Sequence, residues 1–349
     1  MVTTYNAATP SDRAIEMMLI NWLVLFVLDP RSLSLESAPL RLREPVVNRF
    51  GILACAGTML YRWDFEGDLI ETVELGKPVK NIIAFHFSEH GYIVAYQSEK
   101  GAFSQVFDPE GRPLSPPFPF LRFMREVDGR IMAPLTLGQD DYFWRHNYPF
   151  LAIEMQPVPS GGEIVLRKTG LALAKVNDRM LDLDFNFKEI WIVKLEDRFL
   201  VVNQLEPRVY FYDQRAIRQE RADGEHKATA IDFKLLALPA YEPPPQRFFQ
   251  LEKTVSAEEG RRRAAAWFRC LGLITWFGRL GDGFAITYRI PRWEQGSCAG
   301  NGLGLQVLDE HLGPQGPMIE VEGTMMGAVD HSVFTYKRGE VLEYPIGEE

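Results

Sequence analysis

Met59–Leu75 reads MLYRWDFEGDLIETVEL, and this stretch decides the fold class. Runs of aromatic and β-branched residues stand on both sides of Asp64-Phe65-Glu66-Gly67 and predict two strands with a tight turn between them. Asp at the start of such a turn accepts hydrogen bonds from nearby backbone N–H groups, and Gly takes the position that needs a positive φ. The stretch therefore predicts a β-hairpin.

The same strand–turn–strand unit recurs along the chain. Four more segments share it: Ala102–Phe120 (AFSQVFDPEGRPLSPPFPF), Arg208–Arg218 (RVYFYDQRAIR), Gly304–Ile319 (GLQVLDEHLGPQGPMI) and Ser332–Ile346 (SVFTYKRGEVLEYPI). Asp108 follows Asp64 by 44 residues, Asp213 follows Asp108 by 105, and Asp309 follows Asp213 by 96. These spacings correspond to one or two units of the length of a four-stranded propeller blade, about 40–50 residues.

An apolar strand candidate precedes each of the first four turns. These candidates are Gly51–Ala56, Gly91–Tyr96, Phe199–Asn203 and Gly283–Tyr288. The unit therefore contains two inner strands followed by an outer hairpin. Six such units predict an all-β fold, a single-domain six-bladed β-propeller, with five or seven blades as alternatives.

One segment predicts a helical insertion instead. Ser256-Ala257-Glu258-Glu259 has the pattern of a capping box, and the helix is expected to run over residues 256–271, up to Gly272. Arg261, Arg262 and Arg263 make this helix a basic island on an acidic protein. They form either a solvated helix face or a docking surface for an acidic partner.

The N-terminal segment 1–34 is set apart from the propeller domain 35–349. Met17–Leu28 is an apolar run of twelve residues, too short for an ordinary membrane span of about 20. It is either a buried strand or short helix of the fold, or a targeting or anchoring segment. The last unit is short by one strand, and Leu40–Val47 or Met17–Leu28 is predicted to complete it and close the ring.

Charge and cysteine content exclude some classes of function. The net charge is −9, which repels phosphate backbones and makes nucleic acid a poor partner. Three cysteines are too few for a disulfide framework.

Three motifs resemble known catalytic or metal sites, but their context favours structural roles. His86-Phe87-Ser88-Glu89-His90 matches a zinc-protease pattern that needs a helix, whereas Ile82–Phe87 predicts a strand. Gly296-Ser297-Cys298-Ala299-Gly300 has the spacing of a nucleophile elbow but is expected to be a surface loop. Asp182 and Asp184 begin like a calcium loop, yet the alternation around them predicts an amphipathic strand.

Aromatic residues are concentrated in one region. Tyr142, Trp144, Arg145 and Tyr148 are predicted either to pack between blades or to form an exposed binding surface, because aromatic residues and Arg dominate protein interfaces.

The repeat also resembles a known family. Tyr-x-Trp-Asp-x-x-Gly-x-Leu-Ile at 61–70 and Val-Phe-Asp-x-x-Gly at 106–111 resemble bacterial six-bladed β-propellers of the NHL-like and TolB-like type. RFLVVNQLEPRVYFYD at 198–213 and GDGFAITYRIP at 281–291 are similar to blades of that group. The resemblance covers roughly residues 35–346 and reports blade geometry rather than chemistry.

We therefore expect a non-catalytic propeller that presents its loops to a protein partner and needs no cofactor. The expected context is an envelope or membrane-associated assembly, and a periplasmic or membrane-associated location is favoured over the cytoplasm. The alternative is a propeller hydrolase or lactonase with a divalent metal in the central channel, and Asp182 and Asp184 would then be the first candidate ligands.

Overall fold

A computed structural model shows the architecture. The residues that it describes are 30–76, 79–88, 91–120, 124–127, 130–132, 152–157, 164–169, 190–204, 206–213, 232–242, 272–294 and 297–347.

These residues form short antiparallel strands. In chain order the strands are β1 (Arg31–Leu33), β2 (Arg43–Asn48), β3 (Gly51–Ala56), β4 (Met59–Trp63), β5 (Leu69–Glu74), β6 (Asn81–Ser88), β7 (Gly91–Ser98), β8 (Gly101–Phe107), β9 (Phe118–Pro119), β10 (Arg125–Val127), β11 (Arg130–Met132), β12 (Ala152–Pro157), β13 (Ile164–Thr169), β14 (Ile190–Lys194), β15 (Arg198–Asn203), β16 (Arg208–Asp213), β17 (Asp232–Leu235), β18 (Ile274–Leu280), β19 (Gly283–Glu294), β20 (Ser297–Leu308), β21 (Ile319–Val321), β22 (Thr324–Val329), β23 (Ser332–Lys337) and β24 (Glu340–Pro345).

Five four-stranded sheets organise most of these strands. Four sheets follow the chain as β2–β5, β6–β9, β14–β17 and β18–β21, and the fifth has the order β1-β24-β23-β22. One terminal strand of each sheet contacts the corresponding strand of the neighbouring sheet, as β22 contacts β2 and β14 contacts β18. These inner strands therefore surround a common axis. Radially arranged four-stranded sheets define a β-propeller. The predicted all-β class is confirmed.

The predicted number of six blades is not confirmed. The structure describes five four-stranded blades and two separate two-stranded sheets, β10–β11 and β12–β13. The helix predicted at 256–271 lies outside the described residues. In the ranges given above, no helix is long and apolar enough to cross a membrane.

The strand that completes the C-terminal blade is β1. Arg31 pairs with Glu343 and Leu33 pairs with Val341, and the Leu33 side chain is buried. The prediction that Leu40–Val47 supplies this strand is wrong, because that segment overlaps β2, the first strand of the first blade. Met17–Leu28 lies outside the described residues. β1 itself belongs to residues 1–34, which the sequence had set apart from the propeller.

Glu36 attaches the chain after β1 to the first blade. Its backbone N–H donates to the Gly67 carbonyl at 2.9 Å, and its own carbonyl accepts the Trp63 Nε1–H at 2.8 Å. Its carboxylate accepts the backbone N–H of Leu69 at 3.1 Å. The N-terminal segment therefore links the last blade to the first.

The predicted turns at Asp64 and Asp108 are confirmed, and the turn predicted after Asp213 lies outside the described residues. Asp64 Oδ1 accepts the backbone N–H groups of Glu66 and Asp68, and Gly67 has φ +96°. Asp108 Oδ1 accepts the Arg112 N–H at 2.7 Å in the equivalent turn of the next blade. Each Asp thus satisfies backbone donors that the strand ladder leaves unpaired.

Removing the Asp108 carboxylate should destabilise its turn. The Arg112 backbone N–H and Nε both donate to Asp108, the latter at 2.6 Å. We expect Asp108→Ala to lower the free energy of unfolding by about 1 kcal/mol, as for loss of a capping side chain, and Asp108→Asn to cost less because it keeps one acceptor. Chemical denaturation at pH 7 measures both, and equal losses for the two variants would contradict this account.

The same turn has an expected pH dependence. Burial tends to raise the pKa of Asp108, but the hydrogen bonds and charge of Arg112 outweigh it and hold that pKa below its ordinary value. A lowered folded-state pKa stabilises the fold above the unfolded pKa of about 3.9, and this contribution is lost as pH falls through the folded value. The difference in stability between the wild type and Asp108→Asn should therefore shrink below about pH 4.

Apolar clusters between adjacent blades form the core. One cluster joins the first two blades and contains Leu53, Cys55, Leu60, Ile82 and Tyr96. Burial is the main cause that raises the pKa of the Cys55 thiol to about 12, and the Glu44 carboxylate adds to it. The thiol donates to the Arg43 carbonyl at 3.3 Å.

Cys55 should therefore be inert in the folded protein, because only the thiolate is an effective nucleophile. We expect no alkylation of Cys55 by iodoacetamide at pH 8 under native conditions, and complete alkylation in denaturant. Peptide mass spectrometry measures both. Rapid native labelling of the Cys55 peptide would contradict the described burial.

The predicted loop at Gly296–Gly300 is wrong for most of its length. Ser297–Leu308 is the long strand β20, which pairs with β19 as far as Glu294 and Ser297. Gly304 of this strand is closely packed, since a Cβ there would lie 2.8 Å from the Ile290 side chain. At Gly304 the glycine therefore allows close approach within a sheet and does not mark a turn.

Candidate protein-binding surface

The side chains that the sequence singled out for binding lie outside the described residues. These are Tyr142, Trp144, Arg145, Tyr148, Arg261, Arg262, Arg263, Asp182 and Asp184. Their roles stay predictions. His86 lies on strand β6, as predicted, and not on the helix that a zinc-protease motif needs.

The described residues of the central channel offer few metal ligands. In the five inner strands β2, β6, β14, β18 and β22, Glu44 is the only carboxylate. Over the ranges that the structure describes, no group of three or more His, Cys, Asp or Glu residues is arranged to hold a metal ion.

A different surface stands out on the two outer strands of one blade. In the ladder between β16 and β17, Arg208 pairs with Leu235 and Tyr210 pairs with Phe233. Directly paired residues and residues two apart project from the same face of a sheet. Arg208, Tyr210, Phe233 and Leu235 therefore share one face, which we call the β16–β17 patch.

The two faces of these strands differ in burial. On the opposite face Val209 is buried in the cluster that joins this blade to the β18–β21 blade, and Lys234 Nζ donates to the His311 carbonyl of that neighbour. On the patch, Phe233 is 53% exposed and Leu235 is 61% exposed. One face of β17 is thus held against the next blade, while the other presents large apolar side chains to solvent.

The patch is built around the Phe233 ring. The Arg208 guanidinium carbon lies 4.9 Å from the ring centroid, in cation–π geometry, and the Tyr210 ring is centred 6.3 Å away. Glu206 accepts the Tyr210 hydroxyl at 2.6 Å. Burial, reinforced by the Glu206 carboxylate, raises the pKa of Tyr210, so this hydroxyl stays protonated and holds its place.

The free edge of β17 is partly blocked. Ladder alternation turns the Phe233 N–H away from β16, and Asp232 Oδ1 accepts it at 2.7 Å. An edge protected in this way disfavours strand addition. The patch is therefore suited to side-chain contacts on its face.

Sequence reasoning missed this surface. The alternation Asp232-Phe233-Lys234-Leu235 indicates a strand with one apolar face. However, the same alternation is typical of a strand whose apolar face is buried, and only the arrangement of the blades shows that this face is open.

Comparisons with known proteins support the fold alone. A crystal structure of a DUF4221 family member from Bacteroides vulgatus matches with a TM-score of 0.50 and 10% identity over 92% of this chain and 96% of that one. The β-propeller domain of Cps50 (Swd1) from Myceliophteria thermophila matches with a TM-score of 0.39 and 11% identity over 91% and 100%. The Pan2 WD40 domain of Neurospora crassa matches with a TM-score of 0.43 and 8% identity over 92% and 97%.

Comparison by sequence adds no family. No protein-family model matches the chain, and no curated protein matches it. The chain is a β-propeller, and the resemblance to the NHL-like and TolB-like families is not confirmed.

Proposed function

We propose that the protein is a non-catalytic β-propeller that binds a protein partner through the β16–β17 patch. The observation that carries this proposal is the exposure of Phe233 and Leu235 beside Arg208 and Tyr210. In the described part of the chain, four large hydrophobic side chains are exposed, and two of them lie on the four-residue strand β17.

The composition of the patch is that of an interface centre. Aromatic residues and Arg are enriched where binding energy concentrates, and Arg stacked on an aromatic ring presents its donors without losing its packing. The neighbouring blade holds the other face of β17, so the patch is presented on a rigid support and its ordering cost on binding is small.

A paired substitution tests the proposal. We expect Phe233→Ser with Leu235→Ser to weaken binding of the partner at least about tenfold, because hot-spot side chains contribute more than about 1 kcal/mol each. Affinity purification from native cells with the wild type and the double variant identifies candidates, and calorimetry with a purified candidate measures the dissociation constant.

Ile70→Ser is the matched control. Ile70 is 50% exposed on β5, the outer strand of another blade, and its replacement should leave binding unchanged. A partner that binds the wild type, the double variant and Ile70→Ser equally would overturn the assignment of the patch.

We further propose that the ring has six blades, with β10–β13 as the blade between β6–β9 and β14–β17. β11 contacts β12, and β10 contacts β14, the inner strand of the next blade. These contacts support the proposal, because successive strands of one blade and the inner strands of neighbouring blades lie in contact in a propeller. A crystal structure in which β11 and β12 pair in antiparallel register would support this, and one with the two hairpins in separate positions would contradict it.

An envelope or membrane-associated role depends on Met17–Leu28 and stays a prediction. The alternative of a metal-dependent hydrolase or lactonase depends on Asp182 and Asp184 and is tested by metal analysis of the purified protein. A stoichiometric divalent ion that is lost with Asp182→Asn and Asp184→Asn together would favour the enzyme.

A further inference from the structure

We infer that the β16–β17 patch takes a peptide segment in which an acidic residue stands next to large apolar residues, with the carboxylate bound by Arg208. This inference rests on the proposed function and specifies the chemistry of the partner. It follows from the interactions of the charged side chains in and next to the patch: Arg208, Glu206 and Asp232.

Arg208 is the cation among the four residues of the β16–β17 patch. Lys234, its neighbour on β17, points to the other face and donates to the His311 carbonyl. The Arg208 guanidinium is placed over the Phe233 ring and forms no ion pair with a carboxylate of the described residues. The guanidinium also interacts with the Tyr210 hydroxyl, and its five N–H groups leave further donors for an incoming carboxylate.

Glu206 and Asp232, described acidic residues next to the patch, already have protein donors. Glu206 accepts the Tyr210 hydroxyl at 2.6 Å, and Asp232 accepts the Phe233 N–H at 2.7 Å. Neither of these two bonds uses a donor of the Arg208 guanidinium. A guanidinium can bind a carboxylate through two parallel N–H···O bonds.

The register sets the spacing of the ligand. Arg208 is directly opposite Leu235, and Phe233 lies two residues before Leu235 on the same face. Residues two apart in a strand are separated by about 7 Å, the span of two residues of an extended peptide. A segment that buries apolar side chains on Phe233 and Leu235 therefore brings a residue one or two positions away next to Arg208.

Selection from a phage-displayed library of random peptides tests this inference. On the wild-type protein we expect enrichment of Asp or Glu adjacent to Leu, Ile, Phe or Met. On Arg208→Glu we expect enrichment of Lys or Arg in the same place. A synthetic peptide selected on the wild type should bind at least tenfold more weakly to Arg208→Glu, and its charge-reversed version should bind that variant better.

Further variants keep the test decisive. Thermal unfolding checks that Arg208→Glu is folded, and Arg208→Gln serves if it is not, since it removes the charge without introducing a new one. Ile70→Ser should retain the selected peptides. The double variant Phe233→Ser, Leu235→Ser should lose them.

The outcomes separate this inference from the proposed function. Peptides that are lost on the double variant but show no acidic preference would overturn the role of Arg208 and leave the patch as a binding surface. Peptides that bind the double variant as well as the wild type, or a library that yields no enrichment on the patch, would overturn both.

Discussion

A protein that lacks residues 1–37 should unfold at a much lower temperature than the full chain and should aggregate. The deletion removes β1, whose Leu33 side chain is buried, and Glu36, whose three hydrogen bonds join the N-terminal segment to the first blade. Loss of a buried Leu alone costs about 2–5 kcal/mol. The deletion also leaves the edge of β24 unpaired, and exposed strand edges promote aggregation.

Point variants within β1 separate strand closure from loss of chain length. Leu33→Asp places a carboxylate in an apolar site and should be strongly destabilising, whereas Ser32→Asp changes an exposed position of the same strand and should be nearly neutral. Differential scanning fluorimetry and size-exclusion chromatography measure stability and aggregation.

Deletion of residues 1–29 is the matched truncation, because it leaves β1 and Glu36 in place. We expect this shorter deletion to preserve most of the melting temperature. If removing residues 1–37 had no larger effect than removing residues 1–29, closure of the ring by β1 would not contribute to stability.

Gly91→Ala should be among the most destabilising single substitutions, with a loss of at least about 3 kcal/mol of unfolding free energy. Gly91 begins β7 with φ +121°, a conformation that side chains rarely adopt, and a Cβ there would lie 2.2 Å from the Phe107 carbonyl oxygen. Phe107 is the last residue of β8, immediately before the Asp108 turn. The clash would therefore force β7 and β8 of the second blade apart.

The contact at Gly91 is a property of the repeat. A Cβ on Gly51 would lie 2.2 Å from the Trp63 carbonyl oxygen, and Trp63 likewise precedes the turn that begins with Asp64. Gly51→Ala is therefore expected to cause a loss of similar size.

Gly57→Ala is the matched control. Gly57 also has a positive φ, +63°, but no atom lies within 4 Å of an added Cβ, so only the conformational cost of about 1 kcal/mol is expected. Equal losses for Gly57→Ala and Gly91→Ala, measured by chemical denaturation, would show that the backbone contact at Gly91 has no energetic role.

Local patterns were sufficient where neighbouring residues decide the structure. The strand candidates at Gly51–Ala56 and Gly91–Tyr96 and the turns at Asp64 and Asp108 are found in the structure, because alternation and Asx-turn chemistry act over a few residues. The repeat of these units was enough to predict an all-β propeller.

The error at Cys298 has a physical cause. A glycine-rich stretch is typical of a loop when only its neighbours along the chain are considered. Here β19 supplies a long partner strand, whose pairing with β20 extends as far as Glu294 and Ser297.

The sequence by itself determined the blade unit: the strands, the Asp turns between them and their spacing of about 50 residues. Only the tertiary structure decided that β1 closes the ring and that one face of β17 stays open. Strand pairing between chain ends and the burial of one face rather than the other depend on contacts between residues far apart in the chain. Alternation shows that a strand has an apolar face, but the position of the next blade determines whether that face is buried or available for a partner.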